Sequence, residues 1–392
     1  MTDTRYSLDE IRLRLNELDN ELLTLFSERR KLSLEVAKSK VQTAKPVRDP
    51  KREQQLLVKL IENGKAFDLD AYYITQLFHI IIEDSVLLQQ EYFQNLANPE
   101  LSRKPVARVA YLGSKGSYSN LASRRYFSKK NIELAELGCE NFREVIKTVE
   151  SGHADYGVLP IENTSSGSIN QVYDLLQHTS LYIVGELTQQ IDHCLLTTTE
   201  TSLEAIKTLY SHPQPHEQCS EFLNRLDNVE LISCASTADA MITVKELNSP
   251  EVAAIGNSDS GKLYGLQSLI GNISNQTDNQ TRFIVVARKP VDVSEQIPAK
   301  TTLIVSTSQD AGSLVESLLV LRKYGINMTK LESRPIMGNP WEEMFYIDLQ
   351  AHLKSEAMSA AIEELTSITQ YLKVLGCYPI ENVTPTDIPQ MK

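Results

Sequence analysis

The first helix of this chain carries an apolar side too long for the rest of its own domain to cover. Between residues 7 and 41, apolar residues recur at Leu8, Ile11, Leu15, Leu18, Leu22, Leu25, Leu32 and Val36. That heptad-like stripe specifies one continuous helix, roughly 50 Å long. Pro46 ends the pattern. A second helix is expected from Asp49-Pro50, with Asp49 as cap and Pro50 in the first turn, to about Gly64. A third is expected from about Asp70 to Gln90, with Tyr73, Ile74, Leu77, Phe78, Ile81 and Ile82 along one side. Two shorter helices cannot cover the first, so a partner chain is expected.

Polar residues interrupt these apolar seams. Arg29 stands seven residues after Leu22 and seven before Val36, where the heptad calls for an apolar side chain, and Lys40 follows on the same face. A buried cation is costly unless paired, and two on one face suggest an anion held between them. Snorkelling at a coiled-coil edge is the alternative. Glu53 shares a face with Leu57 and Leu60, and Ser85 and Gln89 lie on the line of Ile74, Phe78 and Ile81. These groups form either a ligand site or an internal polar network.

The segment 94–105 loses periodicity and reads as a linker. From Val106 short apolar runs alternate with helical ones, an α/β signature, until a second Pro-containing linker at 289–300. Residues 301–379 follow a β-α-β-β-α-β order, the ferredoxin-like split βαβ motif, and the tail after Pro379 is expected to fray. The expected domains are 1–92, 106–286 and 300–379. The chain has 392 residues, 41% hydrophobic, with a net charge of −12. That charge argues against nucleic-acid or anionic-membrane partners, which need a basic face. The N-terminus lacks an apolar signal region, no stretch is long enough to span a membrane, and five scattered cysteines (Cys139, Cys194, Cys219, Cys234, Cys377) form no CxxC pair. A cytoplasmic protein with reduced thiols and no metal site is expected.

The stretch LNELDNELLTLFSERRKLSLEVAKSK, with PVRDPKRE and IIEDSVLLQQ after it, resembles the all-helical chorismate mutases over the first 90 residues. The resemblance implies that Arg29, and Arg12 from the other subunit, hold the substrate carboxylates. Lys40 and Gln89 would bond the ether oxygen, Glu53 would contact the hydroxyl, and Asp49, Arg52 and Ser85 would complete the pocket. Spacing supports a shared site, because Arg12 and Arg29 are seventeen residues apart, roughly 25 Å on one helix. A pericyclic rearrangement needs no nucleophile or metal, only a selected conformer and fixed charge at the breaking bond.

Four segments of the middle region carry small polar residues beside apolar strands. The first, GSKGSYS, lacks the GKS/GKT ending and the GxGxxG spacing, so nucleotide binding is weakly supported. Singly, each reads as turn and cap chemistry. Together GSKGSYS, PIENTSSGSI, SHPQ with a later QC, and TRF resemble prephenate dehydratase. That implies a two-lobed α/β fold like the bilobal solute-binding proteins, with substrate in the cleft and Thr281 of TRF as the catalytic residue. Asn163, Ser211 and Gln218 match other positions of activity or binding, and Thr164, Ser165 and Ser168 are expected to line the cleft. Arg282 reads equally as a carboxylate clamp or a structural ion pair. His193, His212 and His216 also lie here; His212 could assist, but a structural role is the preferred reading. No cofactor is implied.

The C-terminal region resembles the ACT regulatory domain of prephenate dehydratases through Gly312-Ser313-Leu314-Val315, where the family usually has GALV, and through Glu332-Ser333-Arg334-Pro335. These motifs imply a site for L-phenylalanine at a domain–domain interface, and Trp341 nearby is a candidate reporter. The whole therefore reads as a bifunctional, feedback-inhibited homo-oligomeric enzyme (isomerase and lyase) acting on chorismate and prephenate in phenylalanine biosynthesis. A non-catalytic phenylalanine-binding protein would not need Arg29, Lys40, Glu53, Gln89 and Thr281 together. A mutase joined to prephenate dehydrogenase would need a dinucleotide fingerprint after residue 100, which this sequence lacks.

Overall fold

The computed structural model describes residues 7–43, 45–100, 105–128, 132–226, 228–276, 278–336, 339 and 342–380. Trp341 and the tail after 380 lie outside the described residues. The chain divides into a helical unit and a larger α/β unit.

The helical unit holds α1 (Leu8–Thr43), α2 (Pro50–Gly64) and α3 (Ala71–Ala97). The expected Asp49 cap forms, accepting from the Arg52 N–H, and Asp70 caps α3 by accepting from the Tyr73 N–H. On α1 the buried residues are Ser33 and Ala37 near its C-terminal half, whereas Leu8 is 62% and Leu25 59% exposed. The stripe is thus largely uncovered within one chain. α3 runs seven residues beyond the expected Gln90, which makes this domain longer than 1–92. The first proline after it is Pro99, and the polar end is helical because Phe93 is buried and Asn98 caps the Gln94 carbonyl.

The second expected linker is a docked strap. Asp292–Pro298 belongs to the helical unit. The Val47 N–H donates to the Gln296 carbonyl at 2.8 Å, and Gln296 Nε2 donates to the carbonyls of Lys40 (2.8 Å) and Lys45 (3.1 Å). Asn98 Nδ2 donates to the Asp292 carbonyl at 2.7 Å. Val293 and Ile297 are the buried apolar residues of the strap, too few for sequence periodicity to reveal a segment otherwise held by backbone and amide hydrogen bonds.

In the α/β unit, the first sheet contains β1 (Val106–Leu112), β2 (Glu133–Cys139), β3 (Tyr156–Asn163), β4 (Gly167–Ser168) and β5 (Tyr182–Gln190). The second contains β6 (Cys194–Thr197), β7 (Thr208–Ser211), β8 (Glu230–Ser233), β9 (Val252–Gly256) and β10 (Gln267–Ile270), after which β11 (Gln280–Ala287) returns to the first. The orders are β2-β1-β3-β11-β5 and β10-β6-β9-β7-β8. β1, β2 and β3 are parallel, as are β7, β8 and β9, and β11 runs antiparallel between β3 and β5. The chain crosses between the sheets at 191–193 and 271–279, which makes two lobes. Helices α4 (Tyr118–Ser128), α5 (Phe142–Glu150) and α6 (Asn170–His178) accompany the first sheet. The second has α7 (Pro213–Gln218), α8 (Ser220–Leu223), α9 (Thr237–Leu247) and α10 (Ser258–Tyr264).

The C-terminal sheet is antiparallel in the order β13-β14-β12-β15. Its strands are β12 (Ala299–Ser306), β13 (Asn327–Pro335), β14 (Glu343–Gln350) and β15 (Tyr371–Pro379), with α11 (Ser313–Lys323) and α12 (Glu356–Ile368) as crossovers. The expected β-α-β-β-α-β order is present. This sheet shares one core with the first lobe: Ile304, Tyr346, Leu375 and Tyr378 bury against Ile161, Tyr173, Leu176 and Ile183. The approach is close enough that a Cβ on Gly376 would sit 2.1 Å from the Ile183 carbonyl oxygen, so no larger residue fits there.

Candidate active sites

In the helical unit the anomalous polar residues meet. Arg29 on α1 donates to Ser85 Oγ on α3 and, at 3.2 Å, to the Ile81 carbonyl. Lys40 Nζ donates to Gln89 Oε1 at 3.1 Å and to the Val47 carbonyl at 2.5 Å. Glu53 at the start of α2 is 9% exposed and pairs with Arg48 at 3.3 Å. Burial pushes both the Arg29 and Lys40 cations below their ordinary values; Asp84 resists it for Arg29, and Asp49 and Glu53 for Lys40. Both cations are thus partly desolvated and aligned along one seam, which suits a small dianion. Asp49 is occupied as a helix cap, and the Arg52 side chain is exposed. Arg12 is exposed beside Asp9 at 3.6 Å, near the N-terminal end of α1 and outside this cluster. Arg48 and Ser33, whose hydroxyl bonds Ser85 Oγ at 3.2 Å, join the cluster without having been singled out in sequence. Arg48 was legible only as a cation beside a cap.

In the α/β unit the distinctive motifs sit at carboxyl ends of parallel strands, where open α/β sheets bind ligands. GSKGSYS follows β1, NTSSGS follows β3, and SHPQ begins with Ser211, the last residue of β7. Thr281 is the second residue of β11, paired with Asn163 at the end of β3. Thr281 is buried, and its Oγ1 accepts from Asn163 Nδ2 at 2.9 Å. Among the described residues its own proton has no acceptor. Asn163 Nδ2 also reaches Asn279 Oδ1 at 2.7 Å, while its Oδ1 accepts from the N–H groups of Ser165 and Ser166. Asn163 therefore fixes Thr281 and the following loop together. Thr164 Oγ1 donates to the Asp278 carbonyl at 2.9 Å and Ser165 Oγ to Gln276 Oε1 at 2.7 Å, which clips that loop to the returning chain. Ser168 departs from the expectation of a cleft-lining hydroxyl. It donates to Glu332 on β13 at 2.6 Å, because the β3–β4 hairpin turns it toward the C-terminal sheet.

Ser211 is buried and donates to the His212 carbonyl at 2.9 Å. His212 caps α7, its Nδ1 accepting from the Gln214 N–H at 3.2 Å, which is a structural role. Gln218 Oε1 lies 2.8 Å from His193 Nε2. No direct contact joins Gln218 or Ser211 to Thr281 among the described residues.

Arg282 is an ion-network residue. Its guanidinium lies 2.6 Å from Glu162, 3.1 Å from Glu186 and 2.8 Å from Asp348 on β14. Lys300 and Lys330 complete the network through Glu186 and Glu162. Strand alternation puts Arg282 on the face opposite Thr281; Arg282 lines a cavity of about 440 Å³ together with Glu162, Thr188, Gln280 and Lys330, and with Asn163 and Thr164 of the NTSSGS loop.

The two C-terminal motifs are differently placed. Gly312 has φ +95°, a left-handed conformation that favours glycine, and leads into α11. The added hydroxyl of Ser313 bonds Ser308 Oγ at 2.7 Å and the Asp310 carbonyl at 2.9 Å; Val315 is exposed. On β13, Glu332 meets Ser168, Arg334 pairs bidentately with Asp174 of α6 at 2.9 and 3.0 Å, and Ser333 and Pro335 are exposed.

Residues 11–90 match the type II chorismate mutase family and residues 109–291 the prephenate dehydratase family. The bifunctional chorismate mutase/prephenate dehydratase of Enterobacter agglomerans is 57% identical over 378 residues, covering 96% of this chain and 97% of that one. This chain belongs to the bifunctional chorismate mutase/prephenate dehydratases. The bifunctional enzyme rearranges chorismate to prephenate, then converts prephenate to phenylpyruvate with loss of carbon dioxide and hydroxide. A crystal structure of the Arthrobacter aurescens prephenate dehydratase in complex with L-Phe is similar at TM-score 0.63 and 26% identity, covering 72% of this chain and 93% of that one. A protein described as a novel type of quorum quenching acylase is similar at TM-score 0.62 and 29% identity, over 69% of this chain and 97% of that one. The fold thus hosts more than one described chemistry, and it is the long, closely identical match that assigns the activities.

Sequence reasoning did not single out the α10 contacts of the bifunctional enzyme. Ser260 Oγ donates to the Gly116 carbonyl at 2.6 Å and Tyr264 to the Lys115 carbonyl, so the second lobe touches the GSKGSYS loop. The available signal was a strand, VAAIG, running into the small polar cap NSDSG.

Proposed function

We propose that the mutase site lies in the α1–α3 seam. Arg29 and Arg12 of a second copy bind the two carboxylates, Lys40 and Gln89 hold the ether oxygen, and Glu53 and Ser85 meet the remaining polar groups. Asp49 and Arg52 stand at its rim. The observation that carries this reading is the alignment of Arg29 with Ser85 and of Lys40 with Gln89 on one seam. The open stripe of α1 supports a homodimer in which an antiparallel α1 supplies Arg12.

The dehydratase site lies between the lobes, with Thr281 as hydrogen-bond donor to the departing ring hydroxyl. Electrons of the breaking carboxylate bond enter the ring as carbon dioxide leaves, and the C–O bond to the hydroxyl breaks with its electron pair. Ser211 and Gln218 face substrate from the second lobe, Asn163 aims Thr281, and Thr164 and Ser165 shape the loop. Gly312–Val315 and Glu332–Pro335 form an ACT-type sensor for L-phenylalanine, the ligand bound by the Arthrobacter aurescens relative. The cysteines are unpaired, which supports a reducing, cytoplasmic setting.

Selective loss tests the two sites. Arg29→Ala should abolish mutase activity and leave dehydratase activity on added prephenate near normal. Thr281→Ala should lower dehydratase kcat by about 100-fold or more with KM little changed, and Thr281→Ser should keep much of the rate. Mutase turnover should be unchanged in both Thr281 variants. Parallel loss of both activities in a folded variant would dismiss separate sites.

A further inference from the structure

His193 lies on the 191–193 crossing, 1% exposed, in a place the reaction itself does not explain. Its Nε2 is 2.8 Å from Gln218 Oε1, and its Nδ1 is 3.3 Å from the Tyr118 hydroxyl, which donates to the Asp192 carbonyl at 2.6 Å. Tyr118 packs edge-on to the imidazole, ring centroids 5.9 Å apart. Because an amide oxygen only accepts, Nε2 carries the hydrogen and Nδ1 faces the tyrosine oxygen. Burial lowers the imidazole's proton affinity, which favours this neutral form.

Gln218 is the last residue of the six-residue helix α7. The Asn275 N–H donates to its carbonyl at 2.8 Å, so the backbone is held, and the side chain's orientation is left to His193. We infer that His193 is a positioning residue for the dehydratase: its Nε2–H captures the Gln218 amide oxygen, so the amide NH2 is presented to substrate in a fixed direction. Among the described residues that NH2 has no acceptor in the protein. The same chain of contacts joins three separate sequence motifs: Tyr118 of GSKGSYS on the first lobe, His193 of HCLL at the crossing, and Gln218 on the second lobe. The inference rests on the reading of Gln218 as a substrate group.

The test compares two replacements in the full-length enzyme. His193→Gln can place an N–H donor near the Nε2 position, whereas His193→Phe keeps a ring and removes the donor. His193→Phe should lower dehydratase kcat by about 10- to 100-fold, as a misplaced positioning group does, and His193→Gln should recover most of that loss. A purely packing role would rank the two the other way, and Phe at or above Gln overturns the inference. The second measurement repeats His193→Phe in a Gln218→Ala background, where its effect should nearly vanish. An equal loss in both backgrounds overturns the positioning role and leaves Gln218 standing. Near-normal kcat in Gln218→Ala alone overturns the substrate role of Gln218, and the inference with it. Mutase turnover and the thermal melt of each variant identify misfolding, and a folded His193→Gln enzyme keeps the comparison decisive.

Discussion

Thr281 and Arg282 are neighbours with opposite duties. The Asn163 amide that donates to Thr281 polarises its hydroxyl, which in the proposed dehydratase site would make it a better donor to substrate. Arg282 spends its charge on Glu162, Glu186 and Asp348. Burial would raise the Glu162 carboxyl, but Arg282 and Lys330 more than offset it and hold it below the ordinary range. A carboxyl depressed on folding stabilises above its unfolded pKa, and loses that contribution as pH falls through the folded value. The stability gap between wild type and Glu162→Gln should therefore be widest near neutral pH and narrow on acidification through about pH 4.3 and below. Urea melts across that range measure it, and a gap that stays constant contradicts the ion-pair reading. Thr281 was legible because it sits in a contiguous motif. The duty of Arg282 was not, because Asp348 is far along the chain and the choice between clamp and ion pair depends on which side of β11 meets the C-terminal sheet.

At the scale of elements, α1 makes the clearest demand. The three helices of its unit were readable from periodicity and the α2 cap from Asp49-Pro50, since these are local signals. If the proposed homodimer shares its sites, mixing full-length Arg12→Ala and Arg29→Ala chains should restore about a quarter of wild-type mutase activity, because half the dimers would be mixed and each would have one intact composite site. Recovery is read after subunit exchange is verified, and none at all would rule out a site shared between copies. The C-terminal sheet gave a misleading sequence signal. Its polar lead-in at 289–300 suggests a removable module, yet Tyr346, Leu375 and Tyr378 are core partners of Ile161, Tyr173 and Ile183. Buried side chains of this size contribute about 1.5–3 kcal/mol each. A chain ending at Pro298 should retain mutase activity but lose the cooperative melt of the dehydratase region. A soluble truncated dehydratase with an unchanged melting transition would show that the shared core is dispensable.

Across the whole molecule, the proposed sensor motifs and the first dehydratase lobe meet through Arg334–Asp174 and Glu332–Ser168. Ligand control requires contacts that differ between states, and these pairs are where β13 grips α6 and its preceding hairpin. Arg334→Ala should flatten the phenylalanine inhibition curve of the dehydratase while leaving mutase turnover unchanged. An unaltered curve would remove this pair from the coupling. The strap Asp292–Pro298 bears on how the protein is made. The loop after Lys40 is complete only when Gln296 reaches it, and Gln296 is synthesised after the whole dehydratase region. At bacterial or eukaryotic elongation speeds that is about 10–40 s after residue 101 leaves the ribosome's active centre. The loop beside Lys40 is thus among the first parts of the chain to be translated, yet it is closed only after residues 102–291 have been made, and still before the C-terminal sheet that completes the dehydratase core.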